Sequence, residues 1–343
     1  MELKTALEKL LNRQDLDEHE MRSVMHKMMS GEATDSQIGA ILAALRMKSE
    51  TVTEMTAAVS VMRELATPVA VKDKSHLIDT CGTGGDGAST FNISTACAFV
   101  VAAAGGTVAK HGNRSFSSKS GSADVLEAAG VNLNLSSEQV SECIDSLGIG
   151  FMFAPAHHSA MKHVIGARKE MGVRTIFNML GPLTNPAGAP FQVIGVFNHQ
   201  LGNVFAHVLE RLGSKHVMVV GAEDGLDEIS IASKTFVTEL KDGQVNEWVI
   251  DPADYGMAHA DLSQLAVSSP QQSLEKIRAV FSNQDSAAKD IVCLNAGASI
   301  YVAGLADSYA DGVNLAKKVI ANGLAQAKLD EFIAKTRSFN QAS

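Results

Sequence analysis

The sequence predicts an α/β protein, in which a small N-terminal helical domain precedes a larger α/β domain with a mainly parallel sheet. Two observations carry this prediction. Apolar residues recur at three- and four-residue intervals up to about residue 66, as in amphipathic helices. From His76 onwards, short apolar runs alternate with glycine-containing turns and helical stretches, which is typical of β-α-β units. These features predict a helical domain of residues 1–72 and an α/β domain of residues 73–343.

Two helix starts in the N-terminal region are marked by local sequence. Thr34 with Gln37, and Thr51 with Glu54, have the spacing of a capping box, in which two side chains satisfy free N–H groups at a helix N-terminus. Pro68 then indicates where the chain leaves the helical domain.

In the larger domain the predicted strands and helices alternate. The predicted strands are HLIDT, TVAKHG, GIGFMF, QVIGVF and HVMVVGAED, and the predicted helices are FNISTACAFVVAAAG, AMKHVIGARKEMG and LGNVFAHVLERLG. Strands that are joined through helices form parallel sheets, and the connecting helices cover both faces of such a sheet.

The charge balance bears on the class of ligand. The formal net charge is -9, which opposes nonspecific nucleic-acid binding because that binding needs a broad cationic surface. An anionic small molecule is still compatible with this charge, provided that backbone N–H groups, placed cations or a metal receive it.

The cysteines and the N-terminus indicate the compartment. The 4 cysteines show no C-x-x-C spacing, so we expect reduced thiols rather than a thiolate zinc site or a disulfide framework. The N-terminus is charged and lacks the apolar segment of a signal peptide, and no apolar run has membrane-spanning length. We therefore expect a cytoplasmic protein that is not inserted in a membrane.

A glycine-rich segment, DTCGTGGDG, follows the first predicted strand. Glycines let main-chain N–H groups approach a phosphate closely. Gly82, Gly84 and Gly87 also match G-x-G-x-x-G, so a nicotinamide- or flavin-dependent oxidoreductase is an alternative. That fingerprint expects an acidic residue at the end of the next strand, whereas this strand ends in Lys110 and His111. A cation there favours a second phosphate group over a ribose diol.

Two further segments are suited to binding anions. FNIST, from Phe91 to Thr95, opens a predicted helix, where the helix dipole and free N–H groups favour an anion; ordinary helix capping is the alternative. KHGNRSFSSKSGSADVLEAAG, from Lys110 to Gly130, places cations, an asparagine and several hydroxyl groups in one turn before a helix. Such groups form charge-assisted hydrogen bonds with phosphate oxygens.

An acidic pair, Asp227 and Glu228, lies in GAEDGLDEIS, directly after a predicted strand. Adjacent acids are often no more than solvated surface residues. At a turn behind a buried strand they are suited to Mg²⁺, which prefers carboxylates, water and substrate phosphates. Anion-binding loops together with an acidic pair predict a substrate that carries both phosphate and magnesium.

Five segments in order, DTCGTGGDG, FNIST, KHGNRSFSSKSGSADVLEAAG, RTIFNMLGPLTNPA and GAEDGLDEIS, resemble the anthranilate phosphoribosyltransferases, and the resemblance extends over essentially the whole chain. It implies a fold of the nucleoside phosphorylase and phosphoribosyltransferase type, with about residues 165–190 returning to the helical domain, and a homodimer formed through that domain. It implies transfer of the phosphoribosyl group from phosphoribosyl pyrophosphate to the amine of anthranilate, in tryptophan biosynthesis. Mg²⁺ is the implied cofactor.

The resemblance also implies which residues form the site. For phosphoribosyl pyrophosphate they are Gly82, Gly85, Asp86, Thr90, Asn92, Ile93, Ser94, Thr95, Lys110, His111, Gly112, Asn113, Arg114, Ser115, Phe116, Ser117, Ser118 and Ser122. For anthranilate they are Gly82, Asn113 and Arg168, and for magnesium they are Ser94, Asp227 and Glu228.

The histidines have two interpretations each. His111 is a candidate catalytic residue that accepts a proton from the amine, or it is a neutral hydrogen-bonding wall. His157 and His158 either line the acceptor pocket or pack at a helix start.

Two other functions stay open at this point. A pyrimidine nucleoside phosphorylase has a related fold, although the complete set of glycine-rich, NIST and KHGNR segments fits the transferase better. An inactive relative that binds nucleic acid is opposed by the net charge of -9 and by the acidic pair.

Overall fold

Seven strands form one sheet at the centre of the larger domain. The computed structural model describes residues 1–85, 87–115 and 119–339. The sheet order is β3-β2-β1-β4-β5-β6-β7, in which the first five strands are parallel and the last two are antiparallel to their neighbours. The strands are β1 (Leu77–Gly82), β2 (Thr107–Gly112), β3 (Ile149–Phe153), β4 (Phe191–Gly195), β5 (His216–Ala222), β6 (Thr235–Lys241) and β7 (Gln244–Ile250).

The five strands predicted from sequence are the five parallel ones. The β6–β7 hairpin was not predicted, although its signal is present. Asp242 and Gly243 form a two-residue connection, since Lys241 pairs with Gln244, and both have positive φ, at 54° and 72°. Asp-Gly between alternating apolar and polar residues is a strong hairpin signal.

Four helices form the N-terminal region, and both predicted capping boxes are present. The Thr34 side chain accepts a hydrogen bond from the N–H of Gln37 at 3.3 Å, and the Thr51 side chain accepts one from the N–H of Glu54 at 3.2 Å. The helices are α1 (Leu3–Leu11), α2 (Glu18–Ser30), α3 (Asp35–Lys48) and α4 (Val52–Leu65).

Helices cover both faces of the sheet, as predicted. The remaining helices are α5 (Ile93–Ala103), α6 (Ser122–Ala129), α7 (Ser137–Leu147), α8 (Ala154–His157), α9 (Ile165–Met171), α10 (Phe177–Leu180), α11 (Leu201–Arg211), α12 (Pro270–Phe281), α13 (Ala287–Val302), α14 (Tyr309–Ala321) and α15 (Leu324–Ser338). Helix α13 packs on α5 and on β4, whereas α11 packs between α4 and the other face at β5 and β6.

One predicted helix, AMKHVIGARKEMG, is interrupted. A 3₁₀ helix over Ser159–His163 is followed by α9, and Val164 between them has φ -116°, outside the helical range. Val164 is fully buried among the helices of the N-terminal region. Packing of this β-branched side chain therefore overrides the helical pattern of the sequence.

An apolar core joins the N-terminal helices to one face of the sheet. It contains Met25, Leu42 and Val59 from the helices, together with Phe205 of α11 and Val217 of β5. The chain between residues 159 and 183 also packs on α2, α3 and α4. The domain boundary at residue 72 stays a prediction.

Within the described ranges, none of the helices has both the length and the apolar character needed to cross a membrane.

Candidate active site

Most of the described residues that the sequence predicts for the site lie at the carboxyl edge of the parallel strands. Strands β1 and β4 are neighbours, but the chain continues from β1 to β2 on one side and from β4 to β5 on the other. In open α/β sheets, ligands bind outside the carboxyl ends of the strands at such a switch point. The loops that follow β1, β2 and β5 carry the glycine-rich segment, the cationic turn and the acidic pair.

The start of α5 is not capped by Asn92. This residue has the N-cap position, yet its side chain makes no capping hydrogen bond. Instead, Asn92 Oδ1 accepts hydrogen bonds from the Ser120 and Ser273 hydroxyls, both at 2.7 Å, and Asn92 Nδ2 donates to Ser120 O at 3.0 Å. The capping alternative is therefore wrong for Asn92. Its side chain connects α5 to α12 and to the loop before α6. The first-turn N–H groups of α5 therefore remain for another acceptor.

Lys110 lies within β2, which agrees with the predicted strand TVAKHG and corrects the interpretation of this residue as part of the cationic turn that follows. It is 3% exposed, and its Nζ donates to Thr80 O at 2.5 Å and to Ser94 Oγ at 3.2 Å. The ammonium group thus lies beneath the first turn of α5 and orients the Ser94 hydroxyl. The neighbouring Thr95 Oγ1 is buried, with no hydrogen-bond partner among the described residues.

The loop after β2 is held by an acid on α6. Asp124 Oδ2 accepts hydrogen bonds from the N–H groups of Ser115, at 3.0 Å, and Gly121, at 2.9 Å. Arg114 points along α6, where its guanidinium contacts Glu127 at 2.8 Å and Asp124 at 3.1 Å. Glu127 and then Asp124 raise the pKa of Arg114. Its charge is therefore already paired in this conformation of the loop.

The other predicted residues for phosphoribosyl pyrophosphate have varied positions. The Ser122 hydroxyl donates to Asn113 O at 3.3 Å, and Asn113 Oδ1 accepts from the N–H of Arg114 at 2.7 Å. Thr90 forms a β-bridge with Ala266. Gly82 ends β1, Gly112 ends β2, and Ile93 is buried at the start of α5. The main-chain oxygen of Gly85 accepts a hydrogen bond from Arg174. The structure does not describe Asp86, Phe116, Ser117 and Ser118.

The acidic pair lies directly against the ends of β1 and β4. Asp227 Oδ2 accepts a hydrogen bond from the N–H of Gly84 at 2.7 Å. A Cβ atom on Gly82 would lie 2.5 Å from the same oxygen, and one on Gly195 would lie 1.6 Å from the main-chain oxygen of Asp227. Glycine is required at both positions for this close approach. Asp227 is half-buried, so the acidic pair is not simply solvated.

The ligand set fits magnesium. Glu228 and Ser94 line the same small cavity, and with Asp227 they offer only oxygen atoms. In the part of the chain that the structure describes, no three His, Cys, Asp or Glu side chains are grouped to hold a metal. Mg²⁺ is commonly bound by one or two carboxylates, with water and substrate phosphates as the other ligands. These residues therefore suit an ion that arrives with a phosphorylated substrate.

Arg168 lies apart from these contacts, on α9. Its guanidinium is 5.2 Å from the ring centroid of Phe177, and partial burial lowers the pKa of Arg168. None of the ion pairs within the described ranges involves this arginine. A half-buried guanidinium of this kind can pair with the carboxylate of a ligand.

His111 and His158 form a buried pair, with ring centroids 5.0 Å apart. Burial, followed by the neighbouring His158 and His157, lowers the pKa of His111 to about 3. Burial, followed by His157, lowers the pKa of His158 to about 4. Among the described residues, neither Nε2 atom has a hydrogen-bond partner. Both rings are therefore neutral near pH 7 and keep an unused ring nitrogen.

Beneath His111 lies a buried pair that sequence reasoning missed. Asp79 Oδ1 accepts from the N–H of His111 at 3.1 Å, and Asp79 Oδ2 accepts from Asn185 Nδ2 at 2.7 Å. Asn185 Nδ2 also donates to Ala109 O at 2.8 Å. Burial raises the pKa of Asp79, and Lys110 opposes this effect. The pair of Asp79 and Asn185 fixes the end of β2. The sequence signal for it was Asp79, a charged residue inside a predicted apolar strand.

Arg174 was also missed. Its guanidinium donates to Gly85 O in the glycine-rich loop and lies 3.8 Å from the ring centroid of Phe197. Arg46 in turn donates to Arg174 O at 2.7 Å. Arg174 thus connects the glycine-rich loop to α3 of the N-terminal region.

Comparisons with known proteins agree with this architecture. Residues 4–66 match the family model described as the helical bundle domain of a glycosyl transferase family, and residues 74–326 match the one described as its a/b domain. The fold class predicted from sequence is confirmed.

Full-length relatives narrow the family. The anthranilate phosphoribosyltransferase of Hydrogenovibrio crunogenus is 65% identical over 339 residues, covering 99% of this chain and 100% of that protein. The one from Thioalkalivibrio sulfidiphilus is 59% identical over 338 residues, covering 98% and 100%. The crystal structure of anthranilate phosphoribosyltransferase from Thermus thermophilus has a TM-score of 0.92 at 41% identity, covering 97% of this chain and 99% of that one.

A more distant structure shares the fold. Anthranilate phosphoribosyltransferase from Saccharomyces cerevisiae has a TM-score of 0.89 at 24% identity, covering 98% of each chain. With two bacterial relatives matching end to end at 65% and 59% identity, the chain belongs to the anthranilate phosphoribosyltransferases.

Proposed function

We propose that this chain transfers the phosphoribosyl group from phosphoribosyl pyrophosphate to the amine of anthranilate, giving N-(5-phosphoribosyl)anthranilate and pyrophosphate in tryptophan biosynthesis. The observation that carries the proposal is the meeting of Asp227 with the glycine-rich loop, through the hydrogen bond from Gly84 at 2.7 Å. This contact places potential magnesium ligands beside a loop whose N–H groups suit a pyrophosphate.

The donor substrate binds along the carboxyl edge of the sheet. We assign its phosphate groups to the start of α5, where Asn92 makes no capping hydrogen bond, and to the loop after β2, which carries several hydroxyl groups. Lys110, held under Ser94, contributes positive charge below this site without being exposed. The yeast enzyme has been solved in complex with phosphoribosyl pyrophosphate and Mg.

Asp227, Glu228 and Ser94 would hold magnesium. When bound, the ion stabilises negative charge that develops on the departing pyrophosphate. The chain's own contribution is to hold the two carboxylates at the end of β1, where Gly82 and Gly195 allow Asp227 to approach.

The acceptor is bound by its carboxylate and attacks through its amine. We assign the carboxylate to Arg168, whose guanidinium is half-buried and has no acid partner among the described residues. The amine nitrogen forms the new bond to the anomeric carbon as the bond to pyrophosphate breaks, and the amine then loses a proton. An aromatic amine is uncharged at neutral pH, so positioning rather than a strong base supplies much of the rate.

His111 is better suited to hydrogen bonding than to accepting the proton. A general base works best when its pKa is near the operating pH, whereas burial lowers the pKa of His111 to about 3. The unpartnered Nε2 atoms of His111 and His158 can accept hydrogen bonds from a bound ligand.

An activity assay tests the proposal. Folded protein is mixed with Mg²⁺, phosphoribosyl pyrophosphate and anthranilate, and the loss of anthranilate fluorescence is followed, with omission of each component as a control. We expect loss only in the complete mixture. Unchanged fluorescence, together with phosphate-dependent release of base from a pyrimidine nucleoside, would show that the chain is a nucleoside phosphorylase.

We also propose that two copies associate through the helical domain. Leu11 on α1 and Met47 on α3 are 68% and 75% exposed, and Ile165 at the start of α9 is 37% exposed. Helix α3 packs on both α1 and α9, so these side chains belong to adjacent helices. Exposed apolar side chains that form one contiguous patch are typical of association surfaces. Light scattering coupled to gel filtration measures the mass in solution.

We further propose that the chain works in the cytoplasm. Cys81, Cys97, Cys143 and Cys293 are free thiols, which agrees with a reducing compartment. Fractionation of cells that express a tagged chain checks this location.

A further inference from the structure

Asn295 is a polar side chain in the most buried part of α13. It is 2% exposed, and its sequence neighbours Leu294 and Ala296 are fully buried. Burying an amide is unfavourable unless hydrogen bonds replace those it makes with water. The position of this asparagine therefore depends on what its amide contacts.

The amide of Asn295 pairs with the main chain of one residue in the loop after β5. Asn295 Oδ1 accepts from the N–H of Ile229 at 2.8 Å, and Asn295 Nδ2 donates to Ile229 O at 2.9 Å. Asn295 Nδ2 also donates to Ile291 O of its own helix at 2.9 Å. Ile229 is fully buried beyond the end of β5, so its N–H and C=O need partners that a strand would otherwise supply.

Ile229 follows the acidic pair directly. On the other side, Asp227 is fixed by the hydrogen bond from Gly84 and by its close approach to Gly195. The short acidic segment is thus held at two points, one at the sheet edge and one at α13. Asn295 also lines the small cavity that Glu228 and Ser94 line.

We propose that Asn295 is a positioning residue for the magnesium-binding acids Asp227 and Glu228. It acts through both main-chain groups of Ile229, and it contacts neither the metal nor a substrate. The inference rests on the proposed role of the acidic pair. Residues that orient metal ligands typically change metal affinity by about 10- to 100-fold when they are replaced.

The test compares the wild type with Asn295→Leu, which has a similar volume but cannot form either hydrogen bond to Ile229. Mn²⁺, a paramagnetic substitute for Mg²⁺, is titrated into each protein with phosphoribosyl pyrophosphate present, and free Mn²⁺ is measured by electron paramagnetic resonance. We expect the Kd for Mn²⁺ to rise by about tenfold or more. The Mg²⁺ concentration for half-maximal rate should rise similarly, while kcat at saturating Mg²⁺ stays near the wild-type value.

Tyr309→Phe is the matched control. It removes a buried hydrogen bond to the main chain of the same helix, from the Tyr309 hydroxyl to Leu294 O at 3.3 Å, and Tyr309 does not line the cavity. Its Mn²⁺ affinity should equal that of the wild type. If Asn295→Leu does not fold, Asn295→Ser decides, because its hydroxyl can satisfy only one group of Ile229 and should weaken Mn²⁺ binding to a smaller extent.

Two results overturn the proposal. One is a folded Asn295 variant that binds Mn²⁺ as tightly as the wild type, and the other is a loss of kcat without any change in Mn²⁺ affinity. A wild-type chain that binds Mn²⁺ but transfers no phosphoribosyl group would refute the proposed activity, while the comparison of Mn²⁺ affinities would still decide the role of Asn295. A wild type that binds no Mn²⁺ would overturn both.

Discussion

Arg114 and Arg168 of the candidate site differ in whether their charge is already paired with carboxylates of the chain. The guanidinium of Arg114 is paired with Glu127 and Asp124, so an incoming phosphate has to compete with two carboxylates. Arg168 contacts the ring of Phe177 and is partly removed from water. A charge in a partly dry position gains more from an anionic ligand than an exposed and already paired charge does.

We predict that Arg168→Ala chiefly weakens the binding of anthranilate. Losing one charge-assisted hydrogen bond to a carboxylate costs about 1.5–3 kcal/mol, or roughly 10- to 100-fold in affinity. Isothermal titration calorimetry with each substrate measures the effect. Lys169→Ala removes a neighbouring exposed cation and serves as the control. Equal weakening of phosphoribosyl pyrophosphate would contradict the assignment of Arg168 to the acceptor.

The buried histidines predict a dependence of stability on pH. Their folded-state pKa values, about 3 for His111 and about 4 for His158, lie below the ordinary value of 6.5. As pH falls below about 6.5, the unfolded chain binds protons that the folded chain does not, so the free energy of unfolding decreases. Above that pH these two groups cause no further change.

We predict that His111→Gln makes this decrease shallower. Each histidine contributes about 1.4 kcal/mol per pH unit in the window where only the unfolded state is protonated. Urea unfolding between about pH 6 and pH 4 measures the slope, and the comparison with wild type largely cancels the opposite contribution of Asp79. His19→Gln, which changes an exposed histidine on α2, should keep the wild-type slope. An unchanged slope in His111→Gln would mean that His111 is protonated in the folded protein.

At the scale of elements, the loop after β5 is both a ligand-binding segment and part of the packing at the sheet edge. Asp227 accepts from Gly84, and its main chain lies where any side chain on Gly195 would collide. Replacing the acids therefore affects stability to a small extent as well as metal binding.

We predict that Asp227→Asn combined with Glu228→Gln sharply lowers turnover at limiting Mg²⁺ and that high Mg²⁺ restores part of it. The amides keep the shape of the side chains but remove the charges that attract the ion. The amide oxygen can still accept from Gly84, so the loss of stability should be about 1 kcal/mol. Rates across a Mg²⁺ series and urea unfolding measure the two effects. Wild-type rates at limiting Mg²⁺ would place the metal elsewhere.

Local signals made much of the fold predictable. The capping boxes at Thr34 and Thr51 and the five apolar strands depend on residues close in sequence. The hydrogen bonds that shape the site instead join residues that are far apart in sequence. Asn185 bonds Asp79 across 106 positions, and Asn295 bonds Ile229 across 66 positions. A single sequence does not indicate which distant group a buried amide will contact. The order of the five sequence motifs, by contrast, was enough to locate the loops of the site.

At the scale of the whole molecule, several exposed apolar side chains lie on the N-terminal helices and around α9. Leu11 and Met47 project from α1 and α3 of the N-terminal region, Ile165 is the first residue of α9, and Val173 follows that helix. Because α3 packs on α1 and on α9, a second copy can cover side chains of all three helices at once.

We predict that Met47→Glu converts a dimer into a monomer. Burying a carboxylate without a partner is strongly unfavourable, whereas the same side chain is well solvated in a monomer. Mass in solution, measured by light scattering after gel filtration, distinguishes the two. Leu324→Glu changes an exposed apolar residue at the start of α15 and should leave the mass unchanged. A wild-type monomer, or a dimer of Met47→Glu, would show that this surface does not form a dimer interface.

The core that joins the N-terminal helices to the sheet constrains how the chain can evolve. Val59 of α4 and Phe205 of α11 belong to one packed cluster with Val217 of β5. Because protein interiors are close-packed, a volume change on one side requires a compensating change on the other. Replacing residues 1–65 by those of the Thermus thermophilus enzyme, which is 41% identical to this chain overall, would place the helical face of one protein against the sheet face of another. We therefore expect recombination within the family to be tolerated only where the helical face and the sheet face are exchanged together.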